Sequence, residues 1–82
     1  MTKELSQSGK FSPSPEMAHI AQSVRQTRLR HRLTQTELAG LAGTGLRFIS
    51  ELERGKPNVA LDKLMDVLAV LGLRLQVIEA EQ

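Results

Sequence analysis

This sequence has no cysteine, no tryptophan and no tyrosine, and only two phenylalanines among its 82 residues. Without thiols, neither a disulfide nor a thiolate metal site can support the fold, and the composition fits a reducing cytoplasm. Without Trp or Tyr, recognition of RNA by stacking bases on aromatic rings is not expected. No apolar run is long enough to span a membrane, and residues 1–10 lack the apolar core of a signal peptide. There is also no phosphate-cradling glycine loop and no convergent acid–base pair. So short a chain has little room for a water-excluding pocket, so an enzyme is not expected, nor a cofactor. His19 and His31 lie far apart with no carboxylate cluster beside them, which argues against a metal site.

What is present is a single small domain with uneven charge. The net charge is only +2. In the middle of the chain Arg25, Arg28, Arg30, Arg32, Arg47, Arg54 and Lys56 face only Glu37, Glu51 and Glu53. After Pro57, Asp62, Asp66, Glu79 and Glu81 outnumber Lys63 and Arg74. A basic centre with an acidic end suits a polyanion on one side of the molecule; a solvated charged face is the alternative. A domain of this size buries only about 60% of the surface of its unfolded chain. Oligomerisation is the remaining source of support.

The periodicity predicts four helices. Residues 1–13 are polar and expected to be flexible, with Phe11 the one residue able to dock on something. Ser14 suits an N-cap, Pro15 the first helical position and Glu16 the positive end of the dipole. A first helix then runs to about residue 31, with Met17, Ile20, Ala21, Val24 and Arg28 on one face. A second covers about 35–42. Thr34 caps it and Glu37 completes a capping box. Gly43 is the turn residue, since glycine takes positive φ without a Cβ clash. Thr44 is expected to cap a third helix, about 45–54, which ends before Gly55 and Pro57. Leu38, Ala39 and Ala42 face Phe48, Ile49 and Leu52. A fourth helix, about 60–71, buries Leu61, Leu64, Met65, Leu68 and Leu71, with Val67 at the margin, and stops at Gly72. Residues 14–72 thus form the domain.

From Leu73 the period changes. Leu73, Leu75 and Val77 alternate with Arg74 and Gln76, a strand pattern. A solitary strand leaves its ladder groups unpaired, and no second strand is evident. Pairing with the same segment of a second copy, antiparallel about a two-fold axis, would satisfy both. Residues 73–82 are therefore a dimerisation strand and tail, or else a disordered tail.

The stretch from residue 33 to 56, LTQTELAGLAGTGLRFISELERGK, resembles the helix-turn-helix of the Cro/phage-repressor (xenobiotic-response-element) family in its TQ-x-ELA, G-T and IS-x-LERGK elements. The likeness covers roughly residues 24–71. The ending LGLRLQVIEAE narrows it towards HipB-like antitoxins, which partner a HipA-type kinase toxin. The resemblance implies an all-α fold, dimerisation through C-terminal strands, and a palindromic double-stranded DNA operator. It implies an ion pair between Arg28 and Glu53, against two independent surface charges. Many members carry glycine where this chain has Arg32, so strain or a different helix end is expected there.

In such a domain the second motif helix lies in the major groove. Thr44, Gly45, Leu46, Arg47, Ser50 and Glu51 fall on its outward side. Arg47 is the first candidate for base readout, since its fork fits guanine O6 and N7; an intrahelical pair with Glu51 is the alternative. Glu51 could steady Arg47, accept from cytosine N4, or sit in solvent. Leu46 can touch a thymine methyl, and Gly45 permits close approach. Phosphate contacts fall to Thr34 and Gln35 by resemblance, and to Thr44, Arg54 and Lys56, with Asn58 weaker. Three functions are compatible with this: a toxin-neutralising, autoregulating repressor, a stand-alone repressor, or a protein-only interaction module.

Overall fold

The computed structural model describes residues 11–80 of the chain. Four helices run in order: α1 (Pro15–Arg30), α2 (Gln35–Ala42), α3 (Leu46–Glu53) and α4 (Leu61–Leu71). Among the described residues there is no strand. The expected all-α helix-turn-helix architecture is present. Most of the tail expected to be flexible, residues 1–10, lies outside the described residues.

Each helix starts where the sequence chemistry places it. The Ser14 hydroxyl accepts from the Met17 amide at 3.2 Å, and Pro15 opens α1 with the φ a helix needs and no donor to waste. At α2, Thr34 Oγ1 accepts from the Glu37 amide at 3.0 Å while Glu37 Oε1 accepts from the Thr34 amide at 2.8 Å. This closed capping box satisfies two otherwise free donors.

The four helix ends share one device. In each, a residue in the left-handed region sits just past the last helical residue, and two backward amide bonds cover the last carbonyls. The pairs are Arg32 N–H to Leu29 O with Leu33 N–H to Arg28 O; Gly43 to Gly40 with Thr44 to Ala39; Gly55 to Leu52 with Lys56 to Glu51; and Gly72 to Ala69 with Leu73 to Leu68. Three of these positions are glycine. The fourth is Arg32, at φ 60°. The different helix end allowed for at Arg32 is not adopted: the turn seen at the three glycines forms there with a Cβ present.

Two boundaries shift from the sequence expectation. α1 ends at Arg30, with His31 as its cap. Thr44 does not cap α3. Its amide is committed backward to Ala39 O, so it completes the end of α2. Gly45 is the residue that precedes α3 in extended conformation, and it supplies no side-chain cap. The Thr44 hydroxyl is buried without a partner.

The core consists of Val24 of α1, Leu38 and Ala39 of α2, Ile49 and Leu52 of α3, and Leu64, Val67, Leu68 and Leu71 of α4. α2 packs on α3 and α4, and α1 closes over the same two helices. The small Ala39 lets α2 and α3 approach. On α4 the buried stripe is rotated from the expected one. Val67 is fully buried, whereas Leu61 and Met65 are 58% and 53% exposed. The stripe 64, 67, 68, 71 follows the helical step, and Leu61 and Met65, four apart, share its solvent flank. Phe48 is only half-buried, with Lys63 Nζ 6.0 Å from its ring centre.

Residues 73–80 follow α4 as non-helical chain. Leu73 packs against the core, while Val77 is 99% exposed. The alternating face read from the sequence is therefore divided: its first member is tied to this domain and its last has no neighbour within it.

Candidate nucleic-acid interface

Three side chains from three helices fix the frame of the helix-turn-helix. Arg28 Nε donates to Glu53 Oε2 at 2.6 Å and Nη2 donates to Oε1 at 3.0 Å. Its third nitrogen, Nη1, donates to the Leu33 carbonyl at 2.8 Å. Both side chains are largely withdrawn from solvent. The Glu53 hydrogen bond, with its charge, holds the Arg28 guanidinium above its ordinary pKa against the effect of burial. Gln35 Nε2 also donates to Glu53 Oε1, at 3.0 Å. One carboxylate at the end of α3 thus ties the last turn of α1 and the first residue of α2.

The outward face of α3 carries a second carboxylate-centred group. Glu51 Oε2 accepts from Arg47 Nε at 3.2 Å, one helical turn away, and Oε1 accepts from Lys56 Nζ at 3.1 Å. Lys56 first and Arg47 second hold the Glu51 carboxyl below the usual glutamate range. The Arg47 side chain is 85% exposed, so its fork remains at the surface although one nitrogen is engaged. Leu46 is about half exposed beside it, and Gly45 is exposed at the start of the helix. Ser50 is half-buried one turn on. No acidic residue lies in the first turn of α3, and no side chain caps it. Its free amides and the positive end of its dipole therefore face outward.

The residues matched to phosphate contact occupy different settings. Thr34 is exposed at the start of α2, its hydroxyl engaged in the capping box. Gln35 is half-buried and turned to Glu53. Thr44 is half-buried with its hydroxyl inward. Arg54 is exposed just past α3, its guanidinium carbon 5.9 Å from the centre of the Phe11 ring. Asn58 is exposed beyond it. Among the described residues no helix is long and apolar enough to cross a membrane, and no three potential ligands cluster around a metal-sized space.

Several contacts were not read from the sequence, among them Gln35 to Glu53, Lys56 to Glu51, Arg54 over Phe11, and Arg30 Nη2 to the buried Thr27 hydroxyl at 3.3 Å. Lys56 reaches Glu51 only because the chain reverses at Gly55. Linear spacing signals i to i+4 pairs such as Arg47–Glu51, not pairs across a turn.

The comparisons agree with this geometry. Residues 24–78 match the Helix-turn-helix family. An uncharacterized HTH-type transcriptional regulator, y4mF of Sinorhizobium fredii, is 46% identical over 61 residues, spanning 74% of this chain and 80% of the relative. Among solved structures, the HipB–O4 20mer complex superposes with a TM-score of 0.71 at 25% identity, covering 87% of this chain and all of that one. The clp gene regulator ClgR of Corynebacterium glutamicum gives 0.65 at 27% identity, over 77% and 67%. The chain belongs to the Helix-turn-helix family.

Proposed function

We propose that this chain is a sequence-specific DNA-binding transcriptional repressor, acting as a two-fold homodimer on a palindromic operator. The carrying observation is the outward face of α3. It has an uncapped start, Leu46 and an exposed Arg47 on one surface, and Arg54 and Lys56 just beyond its end. Arg47 reads guanine through the two nitrogens that Glu51 leaves free. Glu51 and Ser50 border that contact, Leu46 meets a thymine methyl, and Gly45 permits close approach. Thr34, Arg54 and Lys56 bind phosphate, and the start of α2 adds free amides. Gln35 takes part through its backbone amide rather than its side chain, which is turned to Glu53, whereas Thr44, with its amide bonded to Ala39 O and its hydroxyl turned inward, drops out of the phosphate set. Half-sites lie roughly 34–36 Å apart, one turn of the duplex.

The dimer forms through Leu73, Leu75 and Val77. Exposed Leu75, Val77 and Ile78 at the end of the domain favour this reading, since a second copy of the segment would pair the ladder groups and cover the side chains. The finer assignment is a HipB-like antitoxin that represses its own operon and neutralises a HipA-type serine/threonine kinase. It rests on the resemblance of the C-terminal segment and on the fold likeness to HipB. A stand-alone repressor has the same DNA chemistry, and the likeness to ClgR favours it.

The test is a salt-dependent titration against the DNA upstream of the coding sequence and a scrambled duplex. Tight binding to the first alone, weakening steeply with salt, is expected. Equal weak binding to both would reject an autoregulating repressor. Co-purification with a kinase encoded beside it separates the antitoxin from the stand-alone regulator.

A further inference from the structure

Residues 11–14, just before α1, cross the end of the proposed reading helix. The Pro13 ring sits on the backbone of Gly55, where a Cβ would lie 2.8 Å from Pro13 Cβ and 2.9 Å from its Cγ. Gly55 has φ 87° and is buried, so both its conformation and its cover require glycine. Immediately after Pro13, Ser14 is fixed as the cap of α1. Two positions before Pro13, half-buried Phe11 presents its ring to the Arg54 guanidinium at 5.9 Å. The strap is thus held at 13 and 14, and its aromatic end lies on the cation that follows α3.

The chemistry of this contact differs from that of the neighbouring cations. Arg47 and Lys56 are each bonded to the Glu51 carboxylate, which uses a donor and offsets charge. An aromatic face attracts a guanidinium through the ring quadrupole. It uses none of the five in-plane N–H donors and leaves the full positive charge. A ring in this place orients the arginine and leaves it able to bind an oxyanion.

We propose that Phe11 is a positioning residue for DNA binding: held by Pro13 on Gly55, its ring pre-orients Arg54 for a backbone phosphate. The proposal rests on the DNA-binding reading above. Pre-orientation lowers the entropy lost when the side chain engages its phosphate.

The experiment is a double-mutant cycle on the full chain, with operator and scrambled duplexes titrated at several salt concentrations. The variants are Phe11→Ala, Phe11→Leu, Phe11→Trp, Arg54→Ala and Phe11→Ala with Arg54→Ala. A partly exposed cation–π contact corresponds to about two- to five-fold in affinity. Phe11→Ala and Phe11→Leu should weaken operator binding by about that factor without changing the salt slope, because no charge is removed. Phe11→Trp should restore it. Arg54→Ala should weaken binding and reduce the slope by about one per half-site, and Phe11→Ala should then add nothing. Equal losses from Phe11→Ala in both backgrounds, or a Leu variant that binds like the parent, would overturn the proposal. So would an Arg54→Ala variant with unchanged affinity and slope, even with operator binding intact. If the parent protein does not distinguish the two duplexes, the DNA-binding reading itself fails and takes this role with it.

Discussion

Arg28 and Glu53, 25 positions apart in the chain, meet in a two-point ion pair whose closer contact is 2.6 Å. With Arg28 also bonded to the Leu33 carbonyl, all three guanidinium nitrogens are engaged. Removing one partner strands the other out of water. Glu53→Ala or Arg28→Ala should destabilise the fold by about 3–5 kcal/mol. Replacing both by methionine should cost much less, because no charge is left buried. Urea unfolding of the three variants checks this; a double-variant loss equal to the sum of the two single losses would show that the pair is not a unit.

Arg32 holds at φ 60° a position that is glycine at the other three helix ends. A left-handed residue with a Cβ costs roughly 1–2 kcal/mol, part of which glycine returns through a freer unfolded chain. Arg32→Gly should therefore stabilise by up to about 1 kcal/mol and raise Tm by a few degrees. Calorimetry decides it. A lower Tm would mean that the side chain makes a compensating contact.

Glu51 has its carboxyl pKa lowered by Lys56 and Arg47. A lowered folded pKa means that the unfolded chain takes up protons first as the pH falls. The stabilising contribution is therefore complete above the ordinary glutamate value of about 4.5 and is lost as the pH falls through the lowered one. Stability near neutrality should not change with pH on account of this group. Glu51→Gln should flatten part of the acid limb in a pH series of melting curves. An unchanged acid limb would show that the two cations do not hold Glu51 in solution.

If Arg47 reads a base, Arg47→Ala should weaken operator binding by about 1–3 kcal/mol, roughly five- to 150-fold, and leave oligomeric state and melting unchanged. Unaltered discrimination against a scrambled duplex would remove its assigned role.

Deleting residues 73–82 should give a monomer by light scattering and weaken operator binding far more than any single substitution. A dimer that survives the deletion would move the interface to another face, for instance the exposed flank of Leu61 and Met65.

The four helices were legible because their signals are local: Ser14 with Pro15, the Thr34–Glu37 box, and glycine at 43, 55 and 72. Thr44 was misassigned as a cap because a Gly-Thr-Gly sequence gives no sign of which residue closes α2. Only the backward bond to Ala39 settles it. The α4 stripe was misplaced because eight apolar residues in eleven positions leave its centre open to a rotation of one residue. Burial in the shared core selects Val67. At the candidate site, types and positions were readable, but engagement was not. That Gln35 faces Glu53 and that Phe11 lies on Arg54 are long-range facts that no spacing encodes, and that Lys56 joins Arg47 on Glu51 depends on the chain reversal at Gly55.

The brevity of α3 has a consequence for exchange with solvent. Its eight residues are about two turns, well below the roughly 12–15 residues an isolated helix needs to persist in water. It exists because Ile49 and Leu52 are fully buried and Glu53 is bolted to α1. The amides in the middle of this helix should therefore open only when the whole domain opens, with hydrogen-exchange rates that track global stability. A domain built this way has no partly melted α3 to offer: the helix is either rigid in its frame or gone with it.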